Sequence, residues 1–271
     1  MMETRMKKGI FFLPNLFTSA SLFFGFYSII STFNGEYHRA ALAILFSTFF
    51  DSIDGTVARL TKTTSQFGVE YDSLSDLVSF GVAPGILVYG WALSSWGRWG
   101  WAVSFLFVVC AALRLARYNV QITTLEKKVF NGLPSPAAAC MVATTILLYF
   151  NPGDEKKMVK PISRLISKPL DYFIERPVEF LLSKHITFLI LVLVLALLMV
   201  STIKYRSFKE MELLRKKPFR MLFLAVVFLI LIAAEPTWML FTIIAVYVLS
   251  GIVDWVFSYG RRRRERSLKP A

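Results

Sequence analysis

The chain has 271 residues, of which 55% are apolar and 18% charged, with two cysteines and a formal charge of +13. Its apolar residues run in long uncharged blocks instead of the one-faced periodicity of a soluble domain, which argues against an ordinary globular protein and predicts helices buried in lipid, each needing about 20 such residues. Lys and Arg cluster at the ends of these blocks and not along an aromatic-rich surface, so anionic lipid head groups, and no nucleic acid, are the expected partners of the charge.

The amino terminus, MMETRMKKGIFFLPNLFTSASLFFGFYSII, has the basic start and apolar run of a signal peptide. The run is too long for that role and lacks a small-residue cleavage site, so a retained first helix is expected. Eight apolar segments can be drawn, at residues 15–33, 39–60, 77–93, 99–116, 133–150, 185–203, 221–234 and 238–257. The clearest is 185–202, HITFLILVLVLALLMVST, with no formal charge and neither Gly nor Pro. The expected fold is all-α: a polytopic membrane helix bundle without internal repeat or soluble domain.

An even number of spans puts both termini on one side, and the concentration of Lys and Arg in cytoplasmic loops identifies that side. With the termini inside, 22 of the 31 basic residues are cytoplasmic, and seven of the other nine fall in residues 151–184. In that stretch Ile162, Leu165, Ile166, Leu170, Phe173 and Ile174 recur at roughly helical spacing, which predicts an amphipathic helix on the bilayer surface. The tail GRRRRERSLKP reads as a topology anchor, with an anionic-lipid site as the alternative. Cys110 and Cys140 lie inside apolar blocks, where a thiol acts as a small hydrophobe. His38 and His185 fall at outer helix ends and are assigned no chemistry.

The informative stretch is FFDSIDGTVARLTKTTSQFGVEYDSLSDLVSF. Asp51 and Asp54 end the second apolar helix, and Asp72 and Asp76 begin the third. Spacings of three and four residues put each pair on one helix face. Side-by-side packing of the two helices would converge four carboxylates near the cytoplasmic interface. An ionised carboxylate at membrane depth costs about 2.5 to 3.5 kcal/mol at the centre and less near the surface, and like charges repel, so a counter-charge is required. Arg59 and Lys62 could supply it as a salt-bridge cluster. Mg²⁺ or Mn²⁺ suits an excess of hard oxygen ligands better and leaves coordination sites for phosphate oxygens. Gly55 beside Asp54, with Ala58 one turn on, gives a smooth face for a ring or ligand backbone, and Gly68 opens the next helix in the same way.

This run, D-x-x-D-G-x-x-A-R-x(8)-G-x-x-x-D-x-x-x-D, resembles the complete signature of the CDP-alcohol phosphatidyltransferases, without departure at any position. The resemblance implies a six-helix catalytic core within about eight transmembrane helices. It implies two metal ions held by Asp51, Asp54, Asp72 and Asp76, with Asp54, Gly55 and Ala58 at the cytidine end, Arg59 supporting and Gly68 shaping the site. Asp76 is implied as the general base, and a homodimer as the assembly.

SDLVSFGVAP, RLARYN and FNGLPSPAAA, with the opening PNLFTSASLFFGF, further resemble the phosphatidylserine synthases within that family. They imply CDP-diacylglycerol and L-serine as substrates. As plain residues, Arg114 and Arg117, three residues apart at a cytoplasmic helix end, read first as positive-inside anchors; the RLARYN resemblance favours a grip on the serine carboxylate or a lipid phosphate instead. Asn119 joins them in RLARYN, and Asn131 and Ser135, beside Pro134 and Pro136 at the entrance of the following helix, are further candidate residues for serine or phosphate. The expected organisation is a catalytic core over 1–150, an extracytoplasmic or interfacial loop over 151–184, carboxy-terminal transmembrane helices over 185–260 and a basic cytoplasmic tail over 261–271. The expected location is the cytoplasmic membrane of a bacterium or archaeon, with the site facing the cytoplasm. Other acceptors, such as glycerol phosphate or inositol phosphate, remain open, as do a cation or proton transporter and a lipid-binding scaffold.

Overall fold

The structure is a computed structural model that describes residues 2–61, 65–122, 130–149, 184–205 and 235–267; side chains are described over 14–57, 60, 65–120, 132–149, 185–203, 205 and 235–255. The helices are α1 (Met2–Phe33), α2 (Tyr37–Thr61), α3 (Gln66–Asp76), α4 (Ala83–Val88), α5 (Arg98–Ile122), α6 (Ser135–Tyr149), α7 (Lys184–Val200) and α8 (Pro236–Ser267). Among the described residues, the two-residue strands β1 (Phe130–Asn131) and β2 (Lys204–Tyr205) pair antiparallel, Phe130 opposite Tyr205.

Among the described residues, five stretches are long and apolar enough to cross a membrane: Pro14–Phe33, Tyr37–Val57, Gln66–Trp96, Arg98–Val120 and Pro236–Trp255; Ser135–Tyr149 and His185–Val200 are shorter apolar helices. Seven of the eight expected segments thus appear as helix, and the chain is an all-α integral membrane bundle. The eighth, 221–234, lies outside the described residues, as does the amphipathic helix expected within 151–184. The basic run after Gly260 does not start a separate element: α8 continues through it to Ser267. At 1.5 Å per residue its 32 residues reach about 48 Å, well past a hydrocarbon core of about 30 Å.

Between Gln66 and Trp96 the chain stays helical but widens into π-helical turns at Leu77–Val82 and Tyr89–Leu93. Pro84 has no N–H and its ring crowds the carbonyl four residues back, so a wide turn just before it lets the helix continue. Small residues line this run. A Cβ at Gly25 of α1 would stand 2.8 Å from Ser79 Cα, and one at Gly85 would stand 2.9 Å from Val108 Cγ2 of α5. Close backbone approach of this kind is how helices gain packing where lipid removes the hydrophobic drive.

Hydroxyls join the same helices. Ser21 and Ser47 lie 2.8 Å apart between α1 and α2, while Ser75 donates to Thr18 O and Ser79 to Ser21 O, both at 3.2 Å. Phe24 of α1 stacks on Phe46 and Phe50 of α2. The core gathers Phe80, Leu87 and Trp91 with Phe107 of α5, Val142 and Ile146 of α6, and Phe188, Leu195 and Met199 of α7. Cys110 and Cys140 are buried and unpaired as thiols, Cys140 Sγ lying 3.1 Å from Thr48 Oγ1. His185 ties the start of α7 to the far end of the Gln66–Trp96 run, with Nδ1 2.6 Å from Ala92 O.

Candidate active site

Two consecutive helices carry the acidic cluster. The connection between α2 and α3 is short, and Ser65 caps α3 by accepting from the Gly68 N–H at 3.0 Å. Asp51 and Asp54 are one turn apart on α2, and Asp72 and Asp76 one turn apart on α3, so each helix aims two carboxylates from one face. Asp51, Asp72 and Asp76 each bring an oxygen to within 4.8 Å of the other two. Asp54 stands outside that trio: it is only 6% exposed, and its carboxylate accepts from the Thr18 hydroxyl of α1. Its charge still acts on Asp51 and Asp72, so it borders the cluster.

Three carboxylates this close, inside spans built for lipid, repel one another and are costly to ionise alone. Asp76 Oδ1 is moreover buried with no hydrogen-bond partner among the described residues. An all-oxygen set with one unsatisfied buried acceptor fits a hard divalent cation such as Mg²⁺ or Mn²⁺. The alternative counter-charges, the Arg59 side chain and Lys62, lie outside the described residues.

The surroundings of the glycines differ. A Cβ at Gly55 would meet nothing within 4 Å, so α2 presents bare backbone to open space beside Asp54; one at Gly68 would meet Ser65 Oγ at 3.2 Å and Asn15 Oδ1 at 3.5 Å. The side chain of Ala58 is not among those described.

Arg114, on α5, reaches across to α6 and donates from Nη1 to Ser135 Oγ at 2.8 Å. Ser135 is fully buried, and Arg114 Nε is buried without a hydrogen-bond partner among the described residues. Asp76, Tyr118 and Tyr247 all lie within electrostatic reach of the guanidinium. Arg114 and Ser135, expected as substrate residues, are therefore brought together beside the aspartates. Arg117 turns instead to the end of α7, its Nη1 3.5 Å from Val200 O. Asn119 pairs with α3, donating from Nδ2 to Ser73 Oγ at 2.9 Å. Asn131 sits in β1 opposite Lys204, and its side chain is not described.

Sequence reasoning missed Thr18, which fixes Asp54, and Ser73, which holds Asn119. A lone hydroxyl in a membrane helix carries no spacing signal, and nothing in PNLFTSASLFFGF marks Thr18 apart from its neighbouring serines.

Comparison with known proteins gives the chain a family. The family model for CDP-alcohol phosphatidyltransferase matches residues 11–174. A CDP-diacylglycerol-serine O-phosphatidyltransferase of Helicobacter pylori strain J99 is 37% identical over 252 residues, 92% of each chain. An archaetidylserine synthase of Methanothermobacter thermautotrophicus is 38% identical over 152 residues, 55% of this chain and 64% of that one. A CDP-diacylglycerol-serine O-phosphatidyltransferase of Saccharomyces cerevisiae is 40% identical over 144 residues, 48% of this chain and 51% of its own. With the acidic signature gathered at one site and the family match spanning more than half of the sequence, the chain belongs to the CDP-alcohol phosphatidyltransferase family.

Proposed function

We propose that this enzyme transfers the phosphatidyl group of CDP-diacylglycerol to the hydroxyl of L-serine, giving phosphatidylserine and CMP. The observation that carries the reading is the carboxylate trio with a buried, incompletely satisfied Arg114 in electrostatic reach of it. Similarity over 92% of the chain to a serine-using transferase supports the choice of acceptor.

Asp51, Asp72 and Asp76, with Asp54 beside them, would hold two Mg²⁺ or Mn²⁺ ions, which when bound neutralise the diphosphate. The open face at Gly55 receives the cytidine end, bordered by Asp54, Ala58 and Arg59, while Gly68 keeps the start of α3 low. Asp76 accepts the proton of the serine hydroxyl. The serine oxygen forms a bond to the lipid-side phosphorus, the phosphoanhydride bond breaks, and its electron pair leaves with CMP. Arg114 Nε, lacking a partner among the described residues, suits the serine carboxylate, and Ser135 holds the guanidinium in place for it.

The reading places the catalytic core at residues 1–150, with 151–184 interfacial, 185–260 completing the bundle and 261–271 basic. Positive charge biased to one side supports a site facing the cytoplasm of a cytoplasmic membrane. A homodimer is the assembly we expect. The transporter reading gives way to family membership.

The test incubates purified enzyme in vesicles with CDP-diacylglycerol, Mg²⁺ or Mn²⁺, and one alcohol at a time. Rapid CMP release is expected with L-serine and not with glycerol phosphate or inositol phosphate. Rapid release with either of those and none with serine overturns the acceptor assignment.

A further inference from the structure

The carboxy-terminal helix lies beyond residues 11–174, where the family model matches, yet it packs against α6, which carries Ser135, and its Tyr247 lies within electrostatic reach of Arg114. Tyr247 and Gly251 are four residues apart on α8 and share a face. Tyr205 of β2 fills the notch over Gly251: a Cβ there would stand 2.6 Å from Tyr205 Cδ1, so only Gly fits. The Tyr205 hydroxyl donates to Val248 O at 3.3 Å, and its ring lies 5.7 Å from that of Tyr247. Tyr205 is itself pinned. Its strand pairs with Phe130 and Asn131, the Gly132 N–H donates to Ile203 O at 2.8 Å, and the Leu133 N–H donates to Leu198 O at 3.0 Å. Gly132 takes a φ of +89°, a left-handed turn that a side chain would strain. Two residues after Leu133, Ser135 accepts from Arg114.

One continuous clasp therefore runs from α8 through Tyr205, β2 and β1 to the Ser135 side of Arg114, and it fixes where the Tyr247 ring stands. We propose that Tyr247 is a positioning residue for the acceptor, its phenol helping to hold the Arg114 guanidinium that Ser135 also holds, so that α8 completes the acceptor pocket. This rests on the reading of Arg114 as the acceptor-binding group. Arg114 carries five N–H donors in a rigid fork. Ser135 takes one of them, and a phenol oxygen facing another would leave Nε for the acceptor.

Tyr247→Phe keeps the ring against Tyr205 and removes only the hydroxyl. It is expected to raise the acceptor KM about three- to tenfold. The kcat and the KM for CDP-diacylglycerol should stay within about twofold, since neither depends on the phenol. Gly251→Ala alters no side chain at the site but forces α8 away from Tyr205, and the same selective rise in acceptor KM is expected. In an Arg114→Lys background, adding Tyr247→Phe should change the acceptor KM no further, because Tyr247 acts only through the guanidinium.

An unchanged acceptor KM in Tyr247→Phe overturns the proposal. So does a parallel loss in both substrates' KM and in thermal stability, which marks a packing role, or a full additive loss in the double variant. Should Tyr247→Phe be recovered too poorly to assay, an unchanged acceptor KM in Gly251→Ala overturns it instead. Each measurement uses whichever alcohol supports CMP release in the unaltered enzyme. Failure of serine as acceptor thus falls on the function above, and failure of the KM pattern falls on Tyr247.

Discussion

Asp51, Asp54, Asp72 and Asp76 come from two helices adjacent in sequence, whereas the guanidinium end of the site joins Arg114 of α5 to Ser135 of α6 and, within electrostatic reach, to Tyr247 of α8. The acidic end is local: helical periodicity aims each pair, and α1 packs against both α2 and α3 to hold the two faces together. The guanidinium end exists only after the bundle has closed and the β1–β2 pairing has drawn the entrance of α6 onto the end of α7. Chemistry shared across a family can reside in a compact motif, while discrimination among acceptors is free to draw on distant helices. Breaking each end should therefore produce different kinetic signatures.

The largest effect is expected at the acidic end. Asp76→Asn should lower kcat for CMP release by about 10²- to 10⁴-fold, the range a positioned general base supplies. Chelation with EDTA should abolish release in the unaltered enzyme, and added Mg²⁺ or Mn²⁺ should restore it. Release that survives both treatments would remove the catalytic reading of the trio.

Arg114→Ala should act on the acceptor instead. Loss of hydrogen bonds to a charged group is worth about 1.5 to 3 kcal/mol, or about 10- to 150-fold in the acceptor KM. The KM for CDP-diacylglycerol should move far less. Equal changes in both would mean that Arg114 serves the bundle as a whole, and the contrast between the two ends would dissolve.

How much of this could be read from the residues alone follows the same division. Uncharged apolar blocks gave the helices, and Asp51 through Asp76 at three- and four-residue spacing gave the acidic face, since both signals repeat within one or two turns. Arg114 and Ser135 were legible as separate residues of RLARYN and FNGLPSPAAA; their 2.8 Å contact was not, because no periodicity links α5 to α6. Thr18 on Asp54 and Tyr205 over Gly251 left no trace for the same reason. The π-helical turns around Pro84 were equally hidden, as apolar content does not report the width of a turn.

A smaller effect, on stability and not on kinetics, is expected where α1 crosses the third helical run. Gly25→Ala puts a methyl 2.8 Å from Ser79 Cα, against backbone that cannot swing away. Overpacking of this kind costs about 1 to 3 kcal/mol. A lower Tm in detergent is expected, with both KM values unchanged in the protein that remains folded.

Gly55→Ala should be the mildest to the fold and the most telling for its size. An added Cβ meets nothing within 4 Å, and Ala is favoured over Gly in a helix by up to about 1 kcal/mol, so the Tm should hold or rise slightly. If the cytidine end lies against the bare backbone beside Asp54, the same methyl should raise the KM for CDP-diacylglycerol severalfold, leave the acceptor KM alone, and weaken inhibition by CMP in parallel. A methyl that the protein ignores and the nucleotide feels assigns this face to the nucleotide. Unchanged kinetics would move the nucleotide elsewhere on the cluster, leaving Gly55 as a gap in packing against lipid, and the acidic end would then hold the diphosphate without reading the base.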